Sequence, residues 1–177
     1  MRANQLIRTI GGAEVPAPGS WQIPRGHVTV SYTGRIGVLR RMRAQAPSAT
    51  GTLDVSEDSA ALELTIAASP RAGSIDAPGL GGLLGADDAP QVELRAPALV
   101  PTPHGIWRTS GQIRIGRSTQ AVPVTVTYHG VYRSGDTAKA WLTVHATAEG
   151  NGRRLHGPVE LVADVLAVAP SPTAAAG

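Results

Sequence analysis

Histidine, the side chain that most often binds metals or moves protons near neutral pH, occurs five times in this chain. No two histidines stand two or four residues apart and no H-E-x-x-H pattern occurs, so their spacing predicts no metal site. His27 ends a turn just before a long apolar run, and it admits two interpretations. Its ring either contacts a ligand or, as we favour, closes the turn by a hydrogen bond to the backbone.

The nucleophilic and acidic side chains likewise form no pattern that predicts a catalytic site. The chain has no cysteine and no G-x-S-x-G pattern, and its adjacent acids lie in the turn-like sequences SEDS (56–59) and GADDAP (85–90). The glycine-rich GLGGLLG (79–85) lacks the Lys-Ser/Thr of a phosphate loop and predicts a flexible rim or lid loop. We therefore predict a protein that is not an enzyme and carries no cofactor. A hydrolase or isomerase would need a buried polar group, and His27 and Tyr32 are the only candidates.

A cluster of four arginines, Arg35, Arg40, Arg41 and Arg43, alternates with apolar residues. One interpretation is a solvated connector whose charges face water. The other is a cap over a binding site, with its apolar side chains on a lipid tail and its arginines on a phosphate or an anionic membrane. Net charge is only +3, so the chain lacks the dense basic stripe typical of nucleic-acid binding. The apolar spacing predicts one or two helical turns over 36–43.

The elements that would hold these residues are strands. Apolar and polar residues alternate over 28–33, 62–66, 92–95, 107–115, 122–128 and 142–147, and strands are also predicted at 49–55 and 159–168. The 21 glycines and 14 prolines fall mainly between these runs, where turns are expected. Closing such a sheet removes its exposed edges. The sequence thus predicts an all-β fold, a closed antiparallel eight-stranded barrel with a short helical insert.

The chain reads as one domain over 20–169, with a flexible leader at 1–19 and a disordered tail at 170–177. Its beginning lacks the apolar core of a signal peptide, and no stretch is apolar enough for a membrane span, which predicts a cytoplasmic protein.

Four segments resemble the YceI-like family: WQIPRGHVTVSYTGR (21–35), GTLDV (51–55), GSIDAPGLGGLLGADDAPQVELRAPAL (73–99) and GIWRTSGQIRIGRSTQAVPVTVTYHG (105–130). The resemblance implies a lipocalin-like barrel that encloses a polyisoprenoid chain, with a homodimer as a common state. Pro24, Val28 and Ile36 replace the family's Asp, Ser and His, and GLGGLLGADD lacks its His, Arg and Phe residues. These departures affect contacts with a ligand's headgroup more than the barrel.

No phenylalanine is present, so the barrel interior must be filled by smaller aliphatic side chains. The residues predicted to line a ligand cavity are Val30, Tyr32, Leu53, Leu64, Ile66, Leu94, Ile113, Val124, Val126, Leu142 and Val144. The residues predicted at its mouth are His27, Arg35, Ile36, Leu39, Arg40, Arg41 and Met42.

We predict a non-catalytic protein that sequesters or carries an isoprenoid or other apolar lipid, without nucleic acid and with peripheral contact to an anionic membrane. The alternative is a structural, oligomer-forming barrel with a filled core. Alternation of period two shows which side chains point inward, but it does not distinguish a filled core from a ligand cavity.

Overall fold

A computed structural model describes residues 7–10, 13–36, 40–68, 79–85, 89–150 and 157–170. These residues form twelve strands and one helical turn: β1 (Ile7–Ile10), β2 (Ala13–Pro16), β3 (Gly19–Ile23), β4 (Val28–Ile36), β5 (Arg40–Gln45), β6 (Ala49–Val55), β7 (Ala60–Ala67), α1 (Leu80–Leu83), β8 (Gln91–Leu99), β9 (Ile106–Ile115), β10 (Ser118–Ser134), β11 (Thr137–Gly150) and β12 (Gly157–Val168). No helix among the described residues is long and apolar enough to cross a membrane.

Eight strands close into an antiparallel ring. Their order is β11, β10, β9, β8, β7, β6, β3 and β12, and β12 pairs again with β11 to complete the circle. Strand β12 pairs with β4 over Val28 to Thr33 and with β3 at Gln22, so β3 and β4 act as one wall strand interrupted by a turn. The predicted eight-stranded barrel is confirmed.

The alternation in the sequence becomes the two faces of this wall. In β7 every second residue is buried, from Ala60 to Ile66, while Glu63 between them is exposed. Strands β11 and β12 keep the same pattern over most of their lengths. Because successive side chains point to opposite faces of a strand, the aliphatic residues collect inside the ring.

The predicted helix over 36–43 is wrong for residue 36 and for 40–43, which lie in strands, while 37–39 lie outside the described residues. Strands β4 and β5 pair there as a hairpin, in which Arg35 stands opposite Arg41 and Gly34 opposite Met42. The segment follows period two, with Arg41 and Arg43 exposed and Met42 buried between them. The helical turn of the described chain lies instead at α1, within the sequence predicted as a rim loop.

The N-terminal segment also differs from the predicted flexible leader. Strands β1 and β2 pair antiparallel, from Ile7 opposite Pro16 to Ile10 opposite Ala13. Val15 in β2 is fully buried and belongs to the main apolar core. This hairpin is therefore packed onto the barrel, and the domain begins before residue 20.

Candidate functional site

The barrel interior holds the hydrophobic core formed by the described residues. All eleven residues predicted to line it are buried, and none exposes more than 4% of its surface. No charged side chain among the described residues is buried. The interior therefore offers contacts to hydrocarbon, and in the described structure the space is filled by the protein's own side chains.

One end of the barrel is closed by α1, a turn in which the Leu83 N–H donates to the Gly79 carbonyl oxygen at 3.1 Å. Leu80 and Leu83 of this turn and Leu84, the residue that follows it, are all buried. Leu83 packs over β4 where Gly34 has no side chain: a Cβ placed there would lie 3.4 Å from Leu83 Cδ2. We call these three side chains the leucine plug. The sequence does not reveal it, because glycines dominate the segment.

A cleft opens beside the plug, between Leu84 and the adjoining ends of β9, β10 and β11. It has a volume of about 290 Å³ and is lined by Leu84, Ile113, Ile115, Ser118, Thr119, Gln120 and Glu149. The Glu149 backbone N–H donates to Gln120 Oε1 at 2.8 Å, which joins the two polar walls. Small-molecule sites usually enclose about 300–1,000 Å³, so the cleft alone suits only a small ligand or the end of a longer one.

The opposite end of the barrel holds aromatic rings. Trp107 in β9 stacks on Tyr128 in β10, with ring centroids 5.5 Å apart and planes at 21°. Burial, with a smaller contribution from the Glu14 carboxylate, raises the pKa of Tyr128 to about 12. Sequence reasoning omitted both residues from the site, although both occupy inward positions of the same alternation.

Of the predicted mouth residues whose side chains the structure describes, Arg35 and Arg41 lie away from the interior and Met42 lies in it. Arg35 and Arg41 are exposed on the outer face of the β4–β5 hairpin, and Arg41 lies 3.9 Å from the Glu160 carboxylate. Met42 faces inward and is buried. Leu39 lies outside the described residues, and the side chains of Ile36 and Arg40 are likewise not described.

His27 lies at the turn between β3 and β4, within the barrel wall. The turn is closed by its backbone N–H, which donates to the Pro24 carbonyl oxygen at 3.0 Å, and not by its ring as we predicted. Ring atom Nδ1 is buried and has no hydrogen-bond partner in the described part of the chain.

A chain of polar side chains crosses the outer face of β10, β11 and β12. His129 Nε2 lies 2.8 Å from Thr143 Oγ1, and the Thr143 hydroxyl donates to Asp164 Oδ1 at 3.0 Å. All three side chains lie on the solvent side, without the enclosure that acid–base catalysis requires. Within the described ranges, no group of three or more His, Asp or Glu side chains is arranged to hold a metal ion.

Comparison with known proteins supports the fold. No protein-family model matches the sequence, and no curated protein matches it significantly. The crystal structure of Burkholderia cenocepacia BcnA is similar, with a TM-score of 0.54 and 16% sequence identity, over 81% of this chain and 96% of that one. The barrel thus fits a YceI-like fold, and at this identity the likeness extends to the fold alone.

Proposed function

We propose that this protein binds an apolar, isoprenoid-like chain inside its barrel and performs no reaction on it. The observation that carries the proposal is the aliphatic inner face of a closed ring, in which no described charged residue is buried. The YceI-like segments of the sequence and the likeness to the BcnA fold support it. Burial of hydrocarbon supplies the affinity, at about 0.8 kcal/mol for each methylene removed from water.

The leucine plug is the part of the interior best suited to make room. It belongs to a single helical turn rather than to the hydrogen-bonded ring, so it can withdraw without breaking a strand pair. The three side chains together occupy the volume of about twelve carbon atoms. When the plug withdraws, this volume becomes continuous with the cleft beside Leu84.

The cost of exposing the leucine plug, compared with the gain from burying the ligand, predicts that affinity depends on the length of the ligand's hydrocarbon chain. Exposing three leucines costs roughly 5–9 kcal/mol, and a ten-carbon chain gains roughly 8 kcal/mol by burial. Burial of a ten-carbon ligand therefore barely offsets the cost of exposing the three leucines. Association adds a further cost, because the ligand loses translational and rotational freedom. We therefore expect geraniol to bind weakly and geranylgeraniol to bind well.

The test combines extraction and uptake. Organic extracts of the purified protein are analysed by mass spectrometry, and uptake of tritiated geraniol, farnesol and geranylgeraniol is measured by equilibrium dialysis. Leu83→Ala shrinks the plug and should strengthen binding of geranylgeraniol, the longest of the three alcohols, severalfold. Val100→Ala, at a position that exposes 57% of its surface, should leave binding unchanged. Absence of both a co-purified lipid and any uptake would refute the proposal.

A second function is favoured by one specific observation, the near-zero exposure of the eleven inward residues. A barrel filled by its own side chains suits a structural protein that acts through its outer surface. Light scattering that shows a stable oligomer, together with no uptake of any prenyl alcohol, would favour this function.

A further inference from the structure

Two hydrogen-bond donors inside the barrel have no acceptor. Trp107 Nε1 and the Tyr128 hydroxyl are buried without a partner in the described part of the chain, and their residues expose 0% and 8% of their surfaces. A buried donor left unpaired costs about 1–3 kcal/mol, and the large majority of buried polar groups are paired. Two such donors in stacked neighbouring rings therefore call for an explanation.

The barrel satisfies a comparable group elsewhere. Trp21 is also fully buried, and its Nε1 donates to the Ala17 carbonyl oxygen at 2.9 Å. The described residues thus provide an acceptor for one buried indole and none for the other. This contrast points to an acceptor for Trp107 that arrives with a ligand.

The chemistry of the two donors restricts that ligand. An indole N–H only donates, and the raised pKa of Tyr128 keeps its phenol protonated at neutral pH. The Glu14 carboxylate acts on the same phenol and adds to the raised pKa, so negative charge already lies near this end. A phosphate or carboxylate would meet repulsion from Glu14, whereas a neutral oxygen would not.

We propose that Trp107 Nε1 and the Tyr128 hydroxyl bind the polar end of the ligand, and that this end is a neutral acceptor oxygen: a hydroxyl, ether or carbonyl. This inference rests on the proposed function, because it assigns the orientation of the same ligand. It moves the headgroup away from the arginines of the β4–β5 hairpin, which lie on the outer face near the leucine plug.

The orientation follows from the length of β9. Trp107 and Ile115, which lines the cleft beside the plug, are eight residues apart, or about 26 Å along the strand. With its oxygen at Trp107, an extended hydrocarbon chain points towards α1, and the inward side chains that fill the space between the two ends must repack around it. Moving the oxygen through the apolar interior would be costly, so the ligand is admitted tail first at the aromatic end, where the β1–β2 hairpin must shift.

Binding of three ligands to five proteins tests this site. The ligands are geranylgeraniol, the hydrocarbon of equal length without the hydroxyl, and geranylgeranyl diphosphate. The proteins are the wild type, Trp107→Phe and Tyr128→Phe, with Trp141→Phe and Tyr132→Phe as controls at exposed positions. The wild type and both controls should bind the alcohol about fivefold more tightly than the hydrocarbon, and the diphosphate least tightly. Each interior variant should lose most of that preference without weaker hydrocarbon binding.

A second readout does not depend on any ligand. Tyr128→Phe removes an unpaired hydroxyl, so the melting temperature of the empty protein should stay constant or rise. A clear fall would show that the hydroxyl has a partner and would overturn the inference. Equal binding of alcohol and hydrocarbon by the wild type, or tightest binding of the diphosphate, would also overturn it while leaving the proposed function intact. Failure of all three ligands to bind would overturn both.

Discussion

Replacing Leu64 by alanine measures directly how well the barrel interior is packed. Leu64 lies in β7, opposite Leu94 of β8 and Gly51 of β6, and it is almost completely buried. It also fills the space above Gly51, where a Cβ would lie 2.8 Å from Leu64 Cδ2. Truncation leaves a void whose walls are hydrogen-bonded strands of a closed ring, and these cannot readily move inward.

The expected loss of unfolding free energy is large. Leucine-to-alanine changes in packed cores cost about 2–5 kcal/mol, and poor collapse of the void places the cost in the upper part of that range. Since about 1 kcal/mol shifts the melting temperature of a domain this size by roughly 2–4 °C, a loss of about 4 kcal/mol lowers it by roughly 8–16 °C.

Urea unfolding followed by circular dichroism gives this difference, with Val100→Ala as the exposed control. The control should change stability by less than about 0.5 kcal/mol. A small apolar molecule such as benzene should bind the new void and restore part of the lost stability. A loss below about 1 kcal/mol for Leu64→Ala, with an unchanged denaturant slope, would refute the description of a filled interior.

Two further predictions concern the wall and the aromatic end. Gly111→Ala places a Cβ 2.5 Å from the Arg95 carbonyl oxygen, so it should cost about 1–3 kcal/mol in urea unfolding, whereas Ser110→Ala on the exposed face should cost almost nothing. The pKa of Tyr128 is about 12, against about 10 for an ordinary tyrosine, so the unfolded chain ionises first as pH rises. The stability of the wild type relative to Tyr128→Phe should therefore be constant below about pH 10 and fall towards pH 12; equal pH profiles of the two proteins would contradict this.

The sequence predicted the strands in which apolar and polar residues alternate, because that alternation shows which side chains point into the barrel. Val30, Leu94 and Val144 lie on three different strands, and each points inward as the alternation required. The prediction failed where few side chains define a period. In β4 and β5 the inward positions include Gly34 and Ala44, so this part of the hairpin has no strong apolar stripe. The spacing of Ile36 and Leu39 with the neighbouring arginines therefore resembled a helix.

The ends of the barrel were harder to predict than its wall. The burial of Leu83 depends on a tertiary contact with β4, and the local sequence GLGGLLG does not predict that contact. The unpaired donors of Trp107 and Tyr128 become visible only when the surrounding acceptors are known, because alternation gives direction and not hydrogen bonding. Sequence therefore located the apolar interior but not the groups that could orient a ligand within it.

Native mass spectrometry of the protein incubated with geranylgeraniol tests the central claim most directly, since it counts ligands on the folded chain. Burial of one extended chain along the barrel predicts a single adduct per protein molecule that withstands dilution, with Leu83→Ala forming the same adduct at a lower concentration of the alcohol. A spectrum that shows only the unliganded mass at saturating alcohol, with the barrel still folded, would contradict lipid binding and leave a solid barrel.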